Sequence, residues 1–217
     1  MVAKYLMDFE GLIDLLGEEL KNPLPGMEGQ IKMAPKPVNN TRFNFNHLNE
    51  VKLGGVLILL YPKDGSVYFP LTERNQYPGI HSGQISLPGG KKERQDSSLT
   101  DTSIRETTEE IGVLGVNVNV LGNLSELYIQ ASNFKVLPTV GYTANRPEFI
   151  NDKREVANLL EVDLKELLNP GIRFSKQMKV KNDLELHIPY FDIQNQMVWG
   201  ATAMILSEFV TILNRIN

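Results

Sequence analysis

The sequence predicts an α/β or α+β fold, a mixed sheet packed by helices, and three observations carry this. Short β-type runs are interleaved with few helical stretches along most of the chain. Two pairs of these runs flank turn signals, Pro62-Lys63-Asp64-Gly65 and Lys181-Asn182-Asp183, as hairpins require. The 217 residues, 41% hydrophobic and 22% charged, are of normal globular composition and numerous enough to bury a core without staples. At about 150 residues per domain, this length suits one domain with an extension, residues 1–50 preceding a main domain at 51–217.

Residues 1–22 read as a helix, because Leu6, Phe9, Leu12, Ile13, Leu16 and Leu20 recur at three- and four-residue spacing in one apolar stripe. The stripe packs on its own domain or, alternatively, forms a homodimer contact. Pro23 and Pro25 stop the helix, and residues 23–50, rich in Pro, Asn and Gly, read as an irregular connector packing on the core. Residues 55–61 and 67–72 form the first hairpin. After a glycine-rich loop, residues 98–111 read as a helix closed by Gly112 at its C′ position. Strands are expected at 116–121, 124–129 and 134–144, and a helix at 155–168, broken at Val162-Asp163. Residues 173–180 and 184–191 make the second hairpin. An apolar helix over 201–216 closes the chain, and Trp199 with the apolar residues after it reads as core.

Charge and composition exclude several functions. A net charge of −4 and a pI near 5.5 argue against a general nucleic-acid-binding surface. With no cysteine, disulfide frameworks, thiolate zinc sites and cysteine nucleophiles are all excluded. The three histidines, His47, His81 and His187, are too few for a histidine-rich metal site. The longest apolar run, Val56 to Tyr61, falls far short of the roughly 20 residues that span a bilayer. Asp8 and Glu10 stand where a signal peptide would be uninterruptedly apolar. The expected setting is cytoplasmic.

The segment that carries chemistry covers residues 87–113. On a helix turning about 100° per residue, Glu106, Glu109 and Glu110 share one face, whereas Ile104, Thr107 and Ile111 share another that packs inward. Three like charges at this spacing cost a bare helix a few tenths of a kcal/mol per pair. Arg105 relieves part of that through Glu109, four residues on, and a hard divalent cation relieves more. Alone, such a triplet is more often a solvated acidic face. The upstream loop, Pro88-Gly89-Gly90, tips the balance, since it lets the backbone turn sharply and approach other groups closely. It can also offer a backbone carbonyl as one more oxygen ligand.

This segment resembles the Nudix box, G-x5-E-x7-R-E-U-x-E-E-x-G-U, the signature of the Nudix hydrolases. Gly90 stands at the opening glycine, and Arg105-Glu106, Glu109-Glu110 and Gly112 stand at the central and closing positions. Asp96 replaces the first glutamate, eight residues rather than seven separate it from Arg105, and Thr107 is less apolar than usual. These departures are similar to the coenzyme A pyrophosphatase branch. Its upstream pattern, L-L-T-x-R-S-x-x-L-R-x-H-x-G-Q-V-x-F-P-G-G, is matched in register at Leu71-Thr72, Arg74, His81, Gly83, Gln84 and Pro88-Gly89-Gly90. Asn75, Pro78 and Gly79 depart from it, and Gly79 takes the place of an arginine, which removes a bidentate phosphate donor. Pro138-Thr139-Val140-Gly141, Glu155-Val156 and Trp199-Gly200-Ala201-Thr202 also resemble that branch, so the resemblance covers residues 50–216.

The resemblance implies a Nudix fold, an α/β/α sandwich with a mixed central sheet, and hydrolysis of a pyrophosphate linked to a nucleoside. Glu106, Glu109 and Glu110 would ligate Mg²⁺ or Mn²⁺, with the Gly90 carbonyl auxiliary. Glu155 would be a distant general base, or merely the dipole partner of a helix start. Arg105 would orient the glutamates, and Asp96 would either support them or cap the catalytic helix. Arg74, His81 and Gln84 would contact the coenzyme A moiety, His81 alternatively shaping the glycine loop. Lys91 and Lys92 read as solvated neighbours. The implied partner is a small nucleotide, not a nucleic acid or a membrane. Coenzyme A or an acyl-coenzyme A would be cleaved to 4′-phosphopantetheine, or its acyl form, and adenosine 3′,5′-bisphosphate. The alternatives are ADP-ribose, a dinucleotide or a nucleoside triphosphate as substrate, or a non-catalytic nucleotide-binding module, which the three retained glutamates oppose.

Overall fold

The computed structural model describes residues 8–37, 51–75, 83–179 and 185–216; His81 and the turn at 181–183 lie outside them. Along the chain come α1 (Phe9–Glu19), α2 (Met27–Gln30), β1 (Lys52–Lys63), β2 (Ser66–Arg74), β3 (Ile85–Ser86), β4 (Gly89–Lys91) and α3 (Leu99–Ile111). Then follow β5 (Asn119–Asn123), β6 (Leu127–Ile129), β7 (Phe134–Tyr142), β8 (Val156–Asp163), α4 (Leu164–Leu168), β9 (Arg173–Lys179), β10 (Glu185–Ile193), β11 (Gln196–Trp199) and α5 (Gly200–Ile216).

β1 is apolar without alternation because both of its faces are covered. Leu57 and Leu59 join Ile111, Val113 and Val156 beneath α3. Ile58 and Leu60 belong to the larger core with Leu16 of α1 and Leu206, Phe209 and Leu213 of α5. Helices thus lie on both faces of a mixed sheet. β7 runs parallel to β1, whereas β2 and β4 pair with β1 antiparallel. The first hairpin turns at Asp64 and Gly65, both with positive φ (49° and 73°), the geometry of a tight two-residue connection. β9, β10 and β11 form a separate antiparallel sheet.

Leu12, Ile13, Leu16 and Leu20 of the α1 stripe are buried in the chain's own core, and Phe9 packs against it. Leu6 lies outside the described residues. Glu208 of α5, fully buried, fastens this segment further. Its carboxylate accepts from Gly26 N (3.0 Å), Gln30 Nε2 (2.8 Å) and Ser125 N (3.2 Å).

Three expectations need correction. Residues 155–168 are not one helix but strand β8 followed by the short α4. Val156, Leu159, Leu160, Leu164, Leu167 and Leu168 do have helical spacing. The free edge of β2 decides otherwise, pairing Leu71 with Leu160 and Phe69 with Val162. The strand expected at 116–121 begins later: residues 115–117 make a 3₁₀ turn, Val116 is exposed, and β5 starts at Asn119. Ile104 is only half-buried; the inward positions of α3 are Thr102, Ser103, Thr107, Glu110 and Ile111. No helix among the described residues is long and apolar enough to cross a membrane.

Candidate active site

The glycine loop and α3 meet along β1. Gly89 has φ +149°, and a Cβ there would collide with the Gly55 carbonyl and Val56. A Cβ on Gly90 would collide with the Glu106 carboxylate, so the bare backbone is what lets this acid approach the loop. The Gly90 carbonyl lies against Gly54 of β1, where an added Cβ would meet it at 2.6 Å.

α3 starts in a capping box: Ser98 Oγ accepts from Asp101 N (3.1 Å) and Asp101 Oδ2 from Ser98 N (2.9 Å). It ends at Gly112 with φ +76°, as expected. Asp96 is therefore not the N-cap. Ser98→Ala is expected to cost about 1 kcal/mol of stability, read as a lowered urea midpoint with unchanged m-value.

Asp96 instead holds Arg105. Its Oδ1 accepts from Arg105 Nε (2.9 Å) and its Oδ2 from Nη2 (3.0 Å), Thr102 Oγ1 (2.9 Å) and Glu93 N (2.8 Å). The bond from Arg105 outweighs burial and holds this carboxyl well below the usual range; the same bond raises the guanidinium. Arg105 then reaches Glu109 Oε2 through Nη1 (2.8 Å), and Glu106 Oε1 and the Lys91 carbonyl through Nη2 (both 2.9 Å). One planar fork thereby orients two glutamates and the end of β4, a task for which Lys has no equivalent geometry.

Glu110 is 4% exposed, and its Oε2 accepts from Gly89 N (3.1 Å). Burial pushes its pKa up to about 7, against the opposing pull of Gly89 N–H and the Arg74 charge; the Glu106 and Glu155 charges push the same way as burial. Glu106 is also raised, by burial first, with Arg105 acting against it. Glu155 is thus electrostatically coupled to both box carboxylates. It does not start a helix; it is exposed in the turn before β8, where its carbonyl accepts from Asn75 N (3.1 Å).

Arg74 and Gln84 adjoin across β2 and β3, Arg74 N donating to the Gln84 carbonyl (3.1 Å). Arg74 Nε is buried without a hydrogen-bond partner among the described residues. Of the expected site residues, Glu106, Glu110, Glu155 and Arg74 thus share one electrostatic neighbourhood. Glu109 turns outward, its side chain 57% exposed on Arg105. His81 lies outside the described residues. Among those described, no three His, Asp or Glu side chains converge as an ion-holding group, since Arg105 engages both Glu106 and Glu109.

Two contributors were missed. Thr102 is buried on Asp96, and only its position one helical turn before Arg105 hinted at that. Asp152 N donates to the Glu110 carbonyl (2.9 Å) and its own carbonyl accepts from Glu155 N (3.0 Å), setting the turn that carries Glu155. No sequence signal links it to α3.

Residues 52–178 match the NUDIX domain family. The protein named Uncharacterized Nudix hydrolase NudL in Yersinia enterocolitica serotype O:8 / biotype 1B is 35% identical over 147 residues, 66% of this chain and 73% of that one. Its namesake in Yersinia pestis (strain Pestoides F) is 38% identical over 138 residues, 63% of this chain and 67% of that one. Among solved structures, a MutT/nudix family protein from Enterococcus faecalis aligns with a TM-score of 0.48 at 18% identity, over 83% of this chain and 70% of that one.

Proposed function

This chain belongs to the Nudix family and is a pyrophosphatase of nucleotide-linked substrates, and on that premise we propose that it cleaves coenzyme A or an acyl-coenzyme A. The products are 4′-phosphopantetheine, or its acyl form, and adenosine 3′,5′-bisphosphate. The observation that supports this reading is Arg74, a buried guanidinium nitrogen without a partner among the described residues, acting on Glu110 and adjoining Gln84. Arg74 and Gln84 belong to the upstream motif of the coenzyme A branch, and a free guanidinium N–H is suited to a phosphate oxygen.

Members of the family use divalent metal ions, and the chemistry of the donors here suits one, with Glu109 having to leave Arg105 to join the other two carboxylates. They are hard oxygens, and the burial that raises Glu106 and Glu110 is offset when a cation neutralises them. Glu106, Glu109 and Glu110 would hold Mg²⁺ or Mn²⁺, with the Gly90 carbonyl auxiliary. Bound there, the ion would polarise phosphoryl oxygens and lower the pKa of a water. Arg105, anchored by Asp96, positions Glu106 and Glu109. Glu155 accepts the proton of the attacking water on its carboxylate, and one water is added across the P–O–P bridge. Arg74 binds the diphosphate.

Gly79, where the branch has an arginine, favours a second reading in which ADP-ribose, a dinucleotide or a nucleoside triphosphate is the substrate. Product analysis decides between them. The full chain is incubated with Mg²⁺ or Mn²⁺ and, separately, coenzyme A, ADP-ribose and a nucleoside triphosphate. The expected result is release of adenosine 3′,5′-bisphosphate from coenzyme A well ahead of cleavage of the others. Preferential cleavage of another substrate overturns the coenzyme A reading and keeps the family chemistry.

A further inference from the structure

We propose that Asn75 is a positioning residue for hydrolysis: it holds the turn that carries Glu155, and so keeps this carboxylate where the attacking water loses its proton. This role rests on the reading of Glu155 as general base and names what keeps that base in place. Asn75 follows directly on Arg74, the last residue of β2. It also stands where the coenzyme A branch has a serine.

Asn75 grips the turn at two points. Its side-chain Nδ2 donates to the Lys153 carbonyl (2.9 Å), and its backbone N donates to the Glu155 carbonyl (3.1 Å). Its own carbonyl accepts from Gly83 N (3.4 Å), which ties Asn75 to the chain that leads into β3. On the other side the turn is tied to α3. Asp152 N donates to the Glu110 carbonyl (2.9 Å), and the Asp152 carbonyl accepts from Glu155 N (3.0 Å) and Val156 N (2.9 Å). The turn is thus slung between the strand that ends in Arg74 and the helix that carries Glu106 and Glu110. Any residue but proline could supply the backbone bond from position 75. The bond from Nδ2 depends on the residue type: a serine hydroxyl ends one bond nearer the backbone than this amide.

The neighbouring ladder shows why the turn needs such a hold. Glu73 pairs with Asn158 but Arg74 with Val156, which leaves Ala157 as an extra residue in β8. A bulge of this kind bends its strand and disrupts the ladder locally. Glu155 is exposed and lies just before it, so neither regular pairing nor core packing directs the residue. Hydrogen bonds to the turn supply that direction instead. The charge on Glu155 acts on Glu106 and Glu110, and displacement of a reacting group by about 1 Å costs on the order of 10²-fold in rate.

Steady-state kinetics and amide hydrogen exchange on the full chain test this. The substrate is whichever of coenzyme A, ADP-ribose and a nucleoside triphosphate the wild type cleaves fastest with Mg²⁺. Asn75→Ala is expected to lower kcat at least about fivefold and to leave KM within about twofold, because a displaced base weakens the transition state and not substrate binding. Asn75→Gln, which keeps the amide donor, should recover at least about half of the wild-type kcat. Unchanged thermal midpoints verify that both variants fold. Adding Asn75→Ala to Glu155→Gln should cost less than about a further twofold, since the amide acts through Glu155. A merely structural residue would cost the same in either background. In the protein without metal or substrate, the Glu155 amide should exchange at least about fivefold faster in Asn75→Ala, and the Gly112 amide at the end of α3 should not change. Unchanged kcat in Asn75→Ala, an equal loss in both backgrounds or unchanged exchange at Glu155 would overturn the role of Asn75 and leave Glu155 as base. Unchanged kcat in Glu155→Gln would overturn the base and its positioning together.

Discussion

Replacing Glu109 and Glu110 together by glutamine is expected to lower kcat at least about 10³-fold on whichever substrate the wild type prefers, without lowering the thermal midpoint. Neither position stabilises the fold through its charge. Glu109 is 57% exposed, and an exposed pair of that kind is worth under about 1 kcal/mol. Glu110 gives Gly89 N a hydrogen-bond acceptor, which a glutamine carbonyl replaces. What the change removes is negative charge at the point where the loop, Glu106 and Arg105 converge. Steady-state kinetics over a range of Mg²⁺ and Mn²⁺ concentrations, with a thermal melt of each protein, reads both halves of the expectation. Unchanged turnover would sink the assignment of these carboxylates.

The second large effect concerns stability. In EDTA at pH 8, Glu110→Gln is expected to be more stable than the wild type by about 3 kcal/mol. The sign follows from a carboxyl whose folded pKa, about 7, stands above its ordinary value of 4.5 because burial penalises its charge. Below the ordinary value the group is protonated whether folded or unfolded, and the wild type bears no penalty. Between the two values only the unfolded chain releases the proton, so stability falls as pH rises. Above about 7 the penalty is constant. Urea unfolding at pH 4 and pH 8 should therefore show the variant's advantage only at the higher pH. A divalent cation should narrow the gap there by stabilising the wild type more. A variant no more stable than the wild type at pH 8 would show that burial does not dominate at Glu110.

Legibility in the sequence differed with the range of the interaction. The closure of α3 at Gly112 and the hairpin at Asp64-Gly65 are decided within a few residues, so local chemistry announces them. The pairing of Arg105 with Glu109 is four residues apart on one helix face and was equally plain. Residues 156–163 were misread because their apolar spacing suits a helix, and only the distant edge of β2 makes them a strand. Asp96 left two roles open until the structure showed Ser98 at the cap and Asp96 on Arg105.

By itself, the sequence determined the α/β class, the acidic helix after a glycine loop and the resemblance that placed the chain among the Nudix hydrolases, because each rests on a short pattern of residue types. Tertiary structure alone decided that the apolar stripe of α1 packs into the core and that Glu155, in a turn before a strand, couples electrostatically to Glu106 and Glu110. The physical reason is the same throughout: burial and charge coupling act between groups far apart in the chain, and their strength depends on which surfaces the fold closes against water.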